Sequence, residues 1–180
     1  MVIITLSDKK SAAYKISFLG LLIAVSFVLG IIENMIPPIP TLPPGIKPGL
    51  ANTVVMFSIM CLPKRYTAVI VLSKSLFAFL TRGVTAGFMS LAGGAVSAGV
   101  MLLLVLIFKN RISILMLSVC GAVFHNAAQI TASVLIVGTL NVLYYLPILV
   151  IAGVVMGYVT GTILKIIMPA VLKISPYKLA

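Results

Sequence analysis

Six apolar runs fill most of this chain: about Ile16 to Ile36, Leu50 to Leu62, Tyr66 to Leu80, Gly87 to Phe108, Ile112 to Val137 and Val142 to Met168. A helix needs about 20 apolar residues to cross a bilayer. Backbone N–H and C=O groups surrounded by hydrocarbon must be paired within their own segment or a closed barrel. Runs of this length therefore predict membrane-crossing helices. The breaks between them carry helix-stopping chemistry. A Pro-rich stretch from Pro37 to Gly49 ends the first run, and Pro63 followed by Lys64 and Arg65 ends the second, because proline cannot continue a helix. The second and third runs are short, so they tilt little or extend into their loops.

Charge is as scarce as the runs require. Only 8% of residues are charged and 62% are hydrophobic, with a mean hydropathy of +1.28, whereas soluble domains carry about 25% charged residues. A water-facing enzyme or a disordered tail is excluded, and lipid is the main solvent. The expected fold is an all-α membrane bundle of six transmembrane helices. Residues 15–169 form the helical domain, and 1–14 and 170–180 are cytoplasmic tails. The basic start followed by an apolar run has the outline of a signal peptide. The run is too long, however, and lacks a small-residue cleavage site before Pro37, so it is expected to be retained.

Thirteen Lys and Arg stand against two acidic residues, Asp8 and Glu33, for a formal charge of +11. In a soluble chain this would point to nucleic acid. Here the basic residues sit at the ends of apolar runs without aromatic interleaving, which is the positive-inside pattern, and no nucleic-acid partner is expected. With both termini cytoplasmic, Lys9, Lys10, Lys15, Lys64, Arg65, Lys109, Arg111, Lys165, Lys173 and Lys178 lie inside, and only Lys47 and Arg82 lie outside. The topology expected is N-in, C-in. Cys61 and Cys120 lack metal or redox spacing and read as small packing residues.

Ionisable groups inside a span are costly, about 2.5 to 3.5 kcal/mol on insertion scales, so each is a candidate for function. Lys74 lies mid-way along the third run, and Arg82, eight residues later, is about 80° away around a helix and can share its face. Their plain alternatives are a snorkelling lysine and an interfacial anchor. His125 and Gln129 fall one turn apart on the fifth run, with Asn126 beside them. They read either as ligand contacts or as hydrogen-bonding glue between helices. A single His without a carboxylate or thiolate cluster does not complete a zinc shell, so no metal is expected. Glu33, at the outer end of the first run, and Asn52, at the start of the second, read as gate or ligand residues near Lys47, or as a structural bridge. Tyr144 and Tyr145 open the sixth run at the same level, as part of the gate or of an interfacial aromatic belt. Lys47, Lys74, Arg82 and His125 against Glu33 describe an outer cavity suited to an anionic or strongly polar ligand.

Catalysis finds no equipment. No G-x-x-x-x-G-K-[ST] loop is present to hold ATP, and two acidic residues in the whole chain cannot form the paired magnesium-binding carboxylates of prenyl-diphosphate chemistry. The chain reads as a non-enzyme without a cofactor.

Four motifs in order, G-I-K-P-G-L-A-N (Gly45 to Asn52), S-L-A-G-G (Ser90 to Gly94), G-A-V-F-H-N-A-A-Q (Gly121 to Gln129) and Y-Y-L-P (Tyr144 to Pro147), resemble the Gx transporter family, also labelled heptaprenyl diphosphate synthase component I. That family is similar to the substrate-binding S components of energy-coupling factor importers. The resemblance implies a multi-pass subunit of the bacterial cytoplasmic membrane that captures a solute outside and works with a separate transmembrane T component and two ATPases. Small residues four apart on the first helix dock the T component in such subunits, and Gly20 and Ala24 are the matching positions, departing from the usual Ala pair. The synthase label implies the alternative, a non-catalytic accessory of polyprenyl diphosphate or menaquinone metabolism, or of quinone- or flavin-linked electron transfer. The ligand would then be isoprenoid- or quinone-related, with His125 and Gln129 hydrogen-bonding a quinone carbonyl.

Overall fold

The computed structural model describes residues 4–6, 11–35, 49–108 and 112–179. Its helices are α1 (Ala12–Met35), α2 (Asn52–Cys61), α3 (Lys64–Arg82), α4 (Val84–Phe108), α5 (Ile114–Val137) and α6 (Leu146–Ile174), the last preceded by a 3-10 turn at Leu140–Tyr145. Two three-residue strands, β1 (Ile4–Leu6) and β2 (Tyr177–Leu179), pair antiparallel and bring the two tails together. At that same end the Tyr14 hydroxyl donates to the Ile174 carbonyl at 2.7 Å, joining the first helix to the last.

Each apolar run becomes a helix, but the helices are not alike. Four segments are long and apolar enough to cross a membrane: α1, α4, α5 and the Leu140–Ile174 unit that contains α6. The chain is accordingly a multi-pass membrane protein. With 10 residues, α2 rises only about 15 Å, half of a hydrocarbon core of about 30 Å. It sits inside the bundle instead, in contact with every other helix, and all its residues except Met60 are buried. Helix α3 has the length but carries Lys64, Arg65, Lys74 and Arg82. Its outer stripe, Leu72, Leu76 and Leu80, is 58 to 73% exposed, and its buried stripe includes Thr67, Ser75 and Ala78. An apolar outside over a partly polar inside is the arrangement lipid selects.

Around α2 the neighbours run α1, α3, α4, α5, α6, each packed on the next. Lipid tails are as apolar as leucine, so close backbone approach rather than amphipathicity holds such helices together. The tightest seam joins α5 and α6, where Gly153, Gly157 and Gly161 lie one turn apart. A Cβ at Gly157 would stand 2.6 Å from Val119 Cα, and one at Gly153 would stand 3.0 Å from Val123 Cα. The Ser118 and Thr160 hydroxyls, 2.9 Å apart, bridge the same seam. On the α3–α4 side the chain turns through Gly83, whose φ of 88° is natural only to glycine. Ser113 caps α5 by accepting from the Met116 amide at 3.1 Å. Helix α6 passes through Pro169 to Ile174, beyond the end expected at Met168.

The main core gathers Phe18 and Leu22 of α1, most of α2, Ile70, Val71, Met101, Leu117, Leu164 and Met168. It fills the half of the bundle nearer the tails. A second apolar cluster, Ile130, Val142 and Leu149, lies toward the other end, as do the buried carboxylate and amide side chains of Glu33, Asn52 and Gln129.

Candidate functional site

At the end opposite the tails, α1 and α3 finish while α2 and α4 begin. Ser26, Gly30 and Glu33 are spaced as one face of α1, and Lys74, Ala78, Thr81 and Arg82 as one face of α3. The two faces meet. With Asn34, Ala51, Phe77 and Ser90 they line a cleft of about 30 Å³, room for about two waters. Phe77, one of the lining residues, stacks nearly parallel on Phe27 with centroids 4.4 Å apart.

The polar contacts order this end. Glu33, although on a helix, is buried, and its carboxylate accepts from the Leu50 amide, just after Gly49 turns the chain into α2 with a φ of 88°. Lys74 Nζ donates to Asn52 Oδ1, tying α3 to the first residue of α2. Glu33 is within electrostatic reach of both Lys74 and Arg82. One carboxylate and two cations thus face one cleft, which keeps a formal surplus of one positive charge. Donors are also left over. Ser26 Oγ, Arg82 Nη1 and Asn52 Nδ2 are buried without a hydrogen-bond partner, and an unmet buried polar group costs about 1 to 3 kcal/mol.

A second group lies half-way along α5. His125 and Gln129 are buried against Gly93 of α4, where a Cβ would stand 2.6 Å from His125 Cε1 and 2.9 Å from Gln129 Cγ. His125 also approaches Gly49, beside Asn52, so it abuts the inner side of the cleft residues. Its Nδ1 and Gln129 Oε1 are buried without partners. Asn126 turns the other way: its Nδ2 donates to the Leu149 carbonyl of α6 at 2.9 Å. Replacing Asn126 with Leu is expected to lower stability by about 1 kcal/mol, read as thermal melting in detergent, and to leave ligand capture unchanged.

The structure therefore brings together Glu33, Asn52, Lys74 and Arg82, sets His125 and Gln129 behind them, and places Asn126 on a different seam. Tyr144 and Tyr145 are 86% and 38% exposed and do not line the cleft. Gly20 and Ala24 are on the exposed face of α1, and the space beside Gly20 is open. Lys47 is outside the described residues. Ser26, Thr81 and Ser90 are lining residues that sequence reading did not single out as ligands. The i, i+4, i+7 spacing of Ser26, Gly30 and Glu33 was the available signal for Ser26. Among the described residues no three His, Cys, Asp or Glu gather into a metal site.

The sequence model of the family described as heptaprenyl diphosphate synthase component I matches residues 22–167. The chain belongs to this family. The matched span contains every cleft residue and the His125–Gln129 pair, so the polar end of the bundle lies wholly within the family's shared region. Gly20 falls just outside it. No curated protein and no solved structure was found to match the chain.

Proposed function

We propose that this member of the heptaprenyl diphosphate synthase component I family is the solute-binding membrane subunit of an energy-coupling factor type importer. It would lie in the bacterial cytoplasmic membrane with both tails inside and the cleft outside, capturing a small anionic or isoprenoid-related solute. The observation that carries this reading is the cleft itself: two cations and unpartnered buried donors gathered at one end of an otherwise apolar bundle. Such groups are costly in a membrane; Lys74 is tied to Asn52, while the buried donors of Ser26 and Arg82 have no hydrogen-bond partner. The positive-inside count puts this end outside. The absence of an ATP-binding loop from the sequence fits a division of labour with a T component and two ATPases, and the exposed Gly20 and Ala24 suit close helix approach by the T component.

The alternative role in polyprenyl, menaquinone or flavin-linked redox metabolism has the unpartnered His125 Nδ1 in its favour, as a hydrogen-bonding group for a quinone carbonyl. The geometry weighs against it. The α4–α5 seam closes on His125 so tightly that not even a methyl group fits at Gly93, and a quinone ring is far larger. Among the described residues Glu33 has no second carboxylate beside it for catalysis on diphosphates.

Purification from native membranes in mild detergent, with mass spectrometry of the proteins and small molecules retained, tests the proposal. T-component and ATPase peptides with a bound anion are expected. Repeated recovery of quinone-handling or prenyl-transferring partners without ATPases would overturn it.

A further inference from the structure

The charge and size of the cleft define what it takes more narrowly than "anionic". Lys74 and Arg82 face it with Glu33 between them in electrostatic terms, so one formal positive charge is uncompensated. Its volume of about 30 Å³ is that of about two waters. Two unpartnered donors line it: Ser26 Oγ, on a residue 1% exposed, and Arg82 Nη1. Lys74 donates to Asn52 Oδ1. A guanidinium edge and a hydroxyl are suited to a planar group with two oxygens.

Resting on the binding-subunit reading above, we infer that the cleft recognises a single carboxylate, the one charged group of its solute, and discriminates against diphosphates. A carboxylate matches both the surplus charge and the space. A diphosphate brings several negative charges next to Glu33. Glu33 is then the specificity determinant: besides fixing Leu50, it sets the net charge at one.

The test uses the purified full chain in lipid nanodiscs with butyrate, inorganic phosphate and inorganic pyrophosphate as probes, read by calorimetry and thermal melting. Saturable butyrate binding, tighter than that of either phosphate species, is expected. Arg82→Gln and Ser26→Ala should each weaken butyrate by about tenfold or more, the scale of one lost charge-assisted hydrogen bond. Glu33→Gln keeps an acceptor for the Leu50 amide but removes the negative charge, so it should strengthen pyrophosphate by about tenfold. Pyrophosphate binding as tight as butyrate in the unaltered protein would overturn the inference. So would butyrate binding indifferent to Arg82→Gln and Ser26→Ala, or no saturable oxyanion binding at all. The importer reading fails separately, through the absence of T-component and ATPase partners, whatever these probes show.

Discussion

Gly157→Leu is expected to separate α6 from α5 and to lower stability by about 3 kcal/mol, the upper range for overpacking. The reason is that the obstacle is main chain. A Cβ there meets Val119 Cα at 2.6 Å, the Ser118 carbonyl oxygen at 3.0 Å and the Val119 amide nitrogen at 3.0 Å, and no rotamer change clears a neighbouring helix backbone. The displacement would also part the Ser118 and Thr160 hydroxyls, 2.9 Å apart across the same seam. Gly99→Leu is the control, since nothing lies within 4 Å of the added Cβ. It should stay within about 0.5 kcal/mol of the unaltered protein. Thermal melting in detergent, followed by size-exclusion profile, distinguishes the two. Equal melting of both variants would show that the α5–α6 seam does not depend on glycine at 157.

Lys74→Met should reduce capture of the anionic species retained by the unaltered protein roughly hundredfold, the scale of losing one charged hydrogen-bond donor to a ligand. Methionine keeps the length and flexibility of the lysine stem, so α3 packs as before. What disappears is the charge. The cleft becomes formally neutral, Asn52 Oδ1 loses its donor, and Glu33 retains Arg82 as a neighbouring cation. Lys74→Arg keeps the charge on a wider head and should recover part of the binding. The ratio of bound small molecule to protein after purification, measured by mass spectrometry, gives the result. Unchanged retention in Lys74→Met would remove this residue from the site.

These two substitutions probe different kinds of information. Lys74 is conspicuous in the sequence because a charge within an apolar run is expensive wherever it points. Gly157 is not conspicuous at all. The G-x-x-x-G-x-x-x-G spacing of Gly153, Gly157 and Gly161 is visible in the chain, yet such spacing does not say which helix will approach. Gly20 and Ala24, which have a similar spacing, face outward, whereas Ser26 and Gly30, a few residues further on, line the cleft. Asn126 is adjacent to His125 in sequence and turns to a different partner helix.

Hydropathy and charge fixed the membrane environment, the approximate extent of the helices and the short roll of polar residues whose burial demands an explanation. These are local and nearly additive quantities, summed along one segment at a time. Which polar residues meet, and that α2 lies inside the bundle as a half-length helix, were decided only by tertiary packing. Lipid around the bundle removes the polar face that would orient a helix in water. Helix rotation then depends on where glycine lets two backbones touch, as Gly157 does at Val119, and on cross-helix hydrogen bonds such as Lys74 to Asn52, both between residues far apart in the chain.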